Sequence, residues 1–297
     1  MGKIVSILNF KGGVGKTTAT LHLATALWLC GKRVCVVDCD AQANATSRMK
    51  IRQFTKGSLT EWLATYKRSY PDNMPDVEDV PIPIYRRYDG LDIIPTKNTI
   101  SMIYVLIENE YMLLNRHDIR DSNLCLKVRL DSIRNDYDYI LIDCPPSPGF
   151  MNDCILAATD QVIIPFMCSG EAEEGMSKMF VPISSIKAST NPNLEVLGAL
   201  AMEYRANLII TKKTFIRLNP HMHIFRTKIR ENCKVKDSTD KYATIYEYYA
   251  CETNTEGCKK TIDDFKHLVK EVFGEDVKPD WLDRLIDAIE LSNSQSK

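Results

Sequence analysis

The stretch Asn9 to Thr20, NFKGGVGKTTAT, places three glycines, two lysines and a pair of adjacent threonines within twelve residues. Gly12, Gly13 and Gly15 allow a tight turn whose successive N–H groups point inward and form an anion nest. A helix beginning near Lys16 brings its positive dipole end to the same place. The loop from Lys11 through Val14 to Thr18 is thus a phosphate cradle, in which Lys16 reaches β- and γ-phosphates and the Thr17 hydroxyl ligates Mg²⁺. Lys11, at the mouth of the loop, is one cation more than that task requires.

A loop that holds Mg-nucleotide needs carboxylates at neighbouring strand ends. Asp143 closes the apolar run YILID (139–143), the Walker B position, where it would hold a water on Mg²⁺. Asp38 and Asp40 follow a second apolar run in VVDCDAQ (36–42). Burying an unpaired carboxylate costs on the order of several kcal/mol, so each acid should face solvent, a cation or a ligand.

The elements that must carry these residues are legible in the periodicity. KIVSIL (3–8), RVCVVD (33–38), LDIIP (91–95), YILIDCPP (139–146), QVIIPF (161–166) and EVLGALAM (195–202) read as strands. Thr17 to Cys30 reads as a helix, with Leu21, Ala24, Leu27 and Trp28 at helical spacing and Gly31 as a stop. Unbroken Val/Ile/Leu runs alternating with helical patterns predict an α/β fold. Its mostly parallel sheet is doubly wound and covered by helices on both faces. No linker or repeat divides the 297 residues, so 1–297 reads as one domain. A proline-rich surface excursion is expected near 66–90 and an amphipathic helix near 279–291.

Composition is that of a globular chain, 44% hydrophobic and 26% charged with a formal net charge of -1. No apolar run approaches the roughly 20 residues of a membrane-spanning helix. Lys3 to Leu8 leads straight into the glycine loop, without a signal-peptide pattern. Cys30, Cys35, Cys39, Cys144 and Cys168 lie in or beside apolar runs, as small core residues of a reducing cytosol would. The 279–291 helix puts Asp280, Asp283, Asp287 and Glu290 on its polar face against Arg284 alone, which argues against a membrane-surface helix.

The blocks KGGVGKTT (11–18), VVDCDAQANAT (36–46), YILIDCPPS (139–147) and DQVIIPFMC (160–168) together resemble the deviant Walker A ATPases of the ParA/Soj partition type, in the ParA/MinD superfamily. VLGAL (196–200) and IFRTKIRENCKV (224–235) are weaker matches. The resemblance implies a P-loop NTPase fold, ATP and Mg²⁺ as cofactors, and slow ATP hydrolysis. It implies an ATP-bound homodimer that binds DNA without sequence preference, and a ParB-type centromere-binding partner that stimulates hydrolysis. A cytoplasmic, nucleoid-associated protein is expected. By the same resemblance Lys11 crosses the dimer interface to the other subunit's phosphates, while Lys16 acts within its own subunit. Asp40 orients the attacking water, and Thr17, Asp38, Asp40 and Asp143 surround the metal.

Tyr204 to Lys236 holds nine Lys and Arg residues against one acid, Glu231, and so carries a local positive field. Lys212, Lys213, Arg217, Lys228, Arg230 and Lys234 are the candidate DNA contacts. The chain departs from the family pattern where IREN (229–232) replaces IPRN. It departs again where Ala41 and Ala43 stand in place of proline and glycine, which predicts a switch loop of altered stiffness. Three alternatives share the loop. A MinD-type membrane-associated positioning ATPase is countered by the acidic helix. A nitrogenase iron-protein-like carrier would need cysteines such as Cys144 and Cys154 at a dimer axis. A tyrosine autokinase would have only IYEYYA (245–250) to offer.

Overall fold

A computed structural model of the chain describes residues 1–64, 82–105, 123–218, 220, 222–253 and 255–295. Seven strands form one sheet: β1 (Lys3–Ile7), β2 (Val34–Asp38), β3 (Tyr85–Tyr88), β4 (Leu91–Ile94), β5 (Tyr139–Asp143), β6 (Gln161–Met167) and β7 (Glu195–Met202). Their order is β3-β4-β2-β5-β1-β6-β7, and every pairing is parallel except β3 with β4. The described helices are α1 (Lys16–Leu29), α2 (Asn44–Arg48), α3 (Leu59–Ala64), α4 (Cys125–Ile133), α5 (Phe150–Ala158) and α6 (Ala172–Ser189). They continue with α7 (Ile209–Leu218), α8 (Cys233–Asp240), α9 (Ile245–Cys251), α10 (Cys258–Phe273) and α11 (Trp281–Gln295).

The unbroken apolar strands divide, residue by residue, between two cores. Ile4, Cys35, Val37, Ile140 and Ile142 pack into one with α3 to α6. Val5, Ile7, Val34, Val36, Tyr139 and Leu141 pack into the other with α1, α9, α10 and α11. Alternate side chains of a strand point to opposite faces, so a sheet covered on both sides needs apolar residues at every position. The result is the doubly wound sheet expected of the sequence. β1 lies centrally between β5 and β6, and the loops at the carboxyl ends of these strands meet at one edge.

The excursion expected over 66–90 is corrected in part. Tyr85–Tyr88 is a strand, antiparallel to β4 with an irregularity between Arg86 and Tyr88. Adjacent prolines and Arg86-Arg87 hide it in the sequence; both features are tolerated at a sheet edge. Residues 65–81 lie outside the described residues. Cys30, Cys35, Cys39 and Cys144 are buried and Cys168 is partly so, and all are free thiols.

The last helix, α11, closes over its own domain. Leu285 is fully buried, Trp281 packs on the Tyr246 and Tyr249 rings, and the Arg284 guanidinium lies 4.7 Å from the Trp28 ring centroid. Asp280, Asp283, Asp287 and Glu290 face solvent. Among the described residues no helix is long and apolar enough to cross a membrane.

Candidate phosphate and metal site

The loop between β1 and α1 is shaped by two left-handed glycines, Gly13 at φ 74° and Gly15 at φ 86°. Gly15 immediately precedes α1, where a Cβ would come within 3.0 Å of Met202 Cε. Asn9 is the loop's first anchor: its Nδ2 donates to Pro165 O (2.8 Å) and its Oδ1 accepts from Lys11 N (2.8 Å). Lys16 is buried and folds back so that Nζ donates to Lys11 O at 3.1 Å. Burial lowers the pKa of its ammonium, while the charges of Asp143 and Asp40 oppose that shift.

Beneath the loop lie two carboxylates. Asp38 and Asp143 are opposite one another in the β2–β5 register and both are fully buried. Burial pushes both carboxyls above the usual carboxylate range, and the charge of Asp38 adds to the shift at Asp143. Their hydrogen bonding differs. Asp38 Oδ2 accepts from Thr46 N and Thr46 Oγ1, each at 2.7 Å, and Oδ1 accepts from Asp40 N at 3.2 Å. Asp143 Oδ1 is 3.5 Å from Thr20 Oγ1, the nearby Thr17 side chain opposes the rise of the carboxyl pKa, and Oδ2 is buried without a hydrogen-bond partner. A buried, unpartnered carboxylate oxygen beside a threonine hydroxyl suits a hard divalent cation. Mg²⁺ takes one or two carboxylates plus phosphate oxygens and water. Among the described residues no group of three or more His, Cys, Asp or Glu is placed to hold a metal, so Asp38, Asp40 and Asp143 do not form a ready-made three-carboxylate site.

Asp40 is largely buried, its Oδ1 accepting from Gln42 N at 3.0 Å. Asp38, through Thr46, holds α2 in place, and Thr46 Oγ1 also accepts from Thr96 N (3.0 Å) at the end of β4. Arg48, at the end of α2, returns to the phosphate loop and donates to Thr18 Oγ1 at 3.2 Å. His22 joins α1 to α9. Its Nε2 accepts from Ile245 N (2.9 Å), so Nδ1 carries the proton toward Thr18 O (2.7 Å), and burial lowers its pKa to about 4. Asn9, His22, Thr46, Arg48 and Thr96 were not apparent as site residues in the sequence, because each acts through a partner remote in the chain.

A cleft opens beside Gly15 and Thr18, lined by Met202, Ile229, Val235, Glu203 and Asn232. Its floor is held by the IREN segment. Arg230 occupies the position of the family's proline and pins the loop to α10: Nε is 3.0 Å from both Asp264 oxygens and Nη2 donates to Lys260 O at 2.9 Å. Asn232 caps α8 by accepting from Lys234 N at 3.0 Å.

The basic stretch does not form one uniform face. Lys212, Lys213 and Arg217 lie together on the exposed side of α7, around Ile209 and Ile216, which are 72% and 73% exposed. Lys228 packs its ammonium 5.3 Å from the Phe215 ring centroid of the same helix. Arg230 is paired with Asp264, Lys234 with Asp237 and Arg205 with Glu231. The cysteines an iron–sulfur carrier would need are inaccessible: Cys144 and Cys154 are fully buried, with Cys154 Sγ 3.8 Å from Cys125 Sγ. Tyr246 and Tyr248 of IYEYYA are buried as well.

Two stability measurements check this geometry. Ala43, preceding α2, is left-handed at φ 51°, where a Cβ is unfavourable. Ala43→Gly should therefore stabilise the chain by about 0.5–1 kcal/mol, raising Tm by about 1–3 °C; a lower Tm would show that the turn is unstrained. Asp143 has a raised folded pKa, so the folded chain without ligands holds a proton that the unfolded chain releases. Its stability should fall as pH rises from about 4 to about 8. Asp143→Asn should remove much of that slope, on the order of a few kcal/mol, as read by thermal melts across pH; an unchanged slope would contradict the burial of this charge.

A family model described as an AAA domain matches residues 2–196. The sporulation initiation inhibitor protein Soj of Bacillus subtilis (strain 168) is 32% identical over 276 residues, covering 92% of this chain and 98% of the relative. The chromosome partitioning protein ParA of Myxococcus xanthus is 30% identical over 273 residues, covering 91% of this chain and 89% of the relative. Among solved structures, cobyrinic acid a,c-diamide synthase from Mycobacterium smegmatis with bound ATP analog and magnesium superposes with a TM-score of 0.68 at 22% identity, covering 93% of this chain and 98% of that one. A plasmid partition protein from Borrelia burgdorferi superposes with a TM-score of 0.59 at 26% identity, covering 81% and 94%. With the phosphate loop, the two strand-end acids and this likeness in agreement, the chain belongs to the ParA/Soj family, within the ParA/MinD-type P-loop ATPases.

Proposed function

We propose that this chain is a DNA-partition ATPase in which ATP binding drives a sandwich homodimer and hydrolysis resets it. The observation that carries the reading is the second lysine. Lys16 alone completes the cradle from within, whereas Lys11 Nζ sits at the loop's open mouth, its side chain 38% exposed. Two nucleotides facing each other across a dimer concentrate negative charge at the interface. A lysine from the opposite subunit compensates it only when ATP is present.

The N–H nest of the loop and Lys16 hold the phosphates, and the cleft between Met202 and Ile229 takes the base. Thr17 and Asp143 would hold Mg²⁺, with Asp38 and Asp40 close by; the bound ion supplies charge neutralisation at the β- and γ-oxygens. Asp40 orients the attacking water. Phosphoryl transfer needs chiefly positioning and positive charge, so this set suffices for slow basal turnover, which a ParB-type centromere-binding partner accelerates. The α7 face with Lys212, Lys213 and Arg217 is the first candidate for DNA phosphate contacts. Lys228, Arg230 and Lys234 stand behind it as less free donors, the last two already ion-paired. The dimer would work on the nucleoid, in the cytoplasm. The docking of α11, with its acids outward, supports this reading over the MinD-type one, and the burial of Cys144 and Cys154 supports it over the iron–sulfur carrier.

The test is a gel shift on random-sequence DNA with and without ATP. A shift that requires ATP in the wild type and disappears in Lys11→Ala is expected; a shift independent of ATP would overturn the reading. Replacing Lys212, Lys213 and Arg217 with alanine should weaken binding and reduce the slope of log affinity against log salt by about 2–3. An unchanged slope would place the DNA face elsewhere.

A further inference from the structure

Lys11 is not free within the subunit. Its Nζ donates to Glu171 Oε2 at 2.8 Å. Glu171 leads directly into α6, a few residues beyond the end of β6. The backbone at Lys11 is fixed on both sides, its N–H by Asn9 Oδ1 and its carbonyl by Lys16 Nζ, and Asn9 is itself bonded to Pro165 of β6. The lysine side chain is therefore the part that can turn, and Glu171 is where it rests.

We propose that Glu171 is a positioning residue for Lys11, an intrasubunit latch that holds the lysine in the free monomer and must release it to the partner subunit's nucleotide. The proposal rests on the reading of Lys11 as an intersubunit phosphate contact. The side chains are 38% and 77% exposed, so the pair is screened by water and salt and opens readily. A single carboxylate in water competes poorly with a triphosphate in a closed interface, so the exchange runs toward the dimer when ATP is bound. With a less charged nucleotide the lysine returns to its own glutamate. A symmetric dimer opens two latches, so their effects multiply.

The experiment is sedimentation velocity on the full chain with a non-hydrolysable ATP analogue, comparing wild type, Glu171→Gln, Glu171→Asp, Lys11→Ala and the Lys11→Ala/Glu171→Gln double variant. An exposed ion pair changes an equilibrium by about two- to five-fold, so Glu171→Gln should tighten the dimer by about 4- to 25-fold. The gain should shrink as salt rises, Glu171→Asp should restore part of the weaker wild-type affinity, and Glu171→Gln should have no effect in the Lys11→Ala background. A purely structural role for Glu171 would show none of this dependence on salt and on Lys11. If Lys11→Ala abolishes the dimer but Glu171→Gln leaves its affinity unchanged or weaker, the latch is wrong and the intersubunit lysine stands. If Lys11→Ala dimerises as the wild type does, the intersubunit reading falls and the latch falls with it.

Discussion

Two carboxylates buried side by side at the ends of β2 and β5 constrain everything around them. Asp38 and Asp143 face each other in the strand register, both shut off from bulk solvent. Neither can ionise without help, and the chain helps them unequally. Asp38 receives three donors, two of them from Thr46, and thereby fixes the first turn of α2 against the sheet. Asp143 keeps a buried oxygen with no partner beside the first turn of α1. The difference follows from hydrogen bonding: one acid anchors the segment that carries α2, and the other keeps an oxygen open, as the proposed binding of Mg²⁺ there would require.

The rest of the fold serves to hold that pair beneath the phosphate loop. Parallel strands bring their carboxyl ends to one edge, so residues more than a hundred positions apart meet there. Burial on both faces makes the strands stiff and continuous, and α1 is enclosed by α10, α11 and the sheet along nearly its whole length. His22 and Arg48 tie this helix to α9 and α2, so the loop, the switch and the second core share one hydrogen-bonded frame. Within it, the Lys11 side chain, exposed and held by a single carboxylate, contrasts with the buried Lys16.

Charge shows how a linear count differs from a surface. Nine basic residues against one acid between Tyr204 and Lys236 suggest a uniform positive face. In the fold, Asp237 and Asp264, outside that window, pair with Lys234 and Arg230, and Glu231 inside it pairs with Arg205. Lys212, Lys213 and Arg217 cluster on α7, where two exposed isoleucines sit among them. Arg230, standing where the family has proline, stiffens its loop through an ion pair instead of a ring.

The sequence by itself determined the local features: the glycine-rich loop, the apolar strands, the helix that follows Lys16, and acids at strand ends. Each depends on residues a few positions apart, whose sterics and periodicity act within one element. The edge strand Tyr85–Tyr88 escaped because prolines and arginines, which an edge tolerates, mask its alternation. Only the tertiary structure decided which acid is anchored and which is open, that Thr46, Thr96 and His22 belong to the site, which basic residues are already paired, and that Lys11 rests on Glu171. Most of these depend on groups far apart in the chain, up to 223 positions between His22 and Ile245. Buried polar groups must be satisfied wherever the fold happens to supply a partner, and no spacing in the chain encodes that choice.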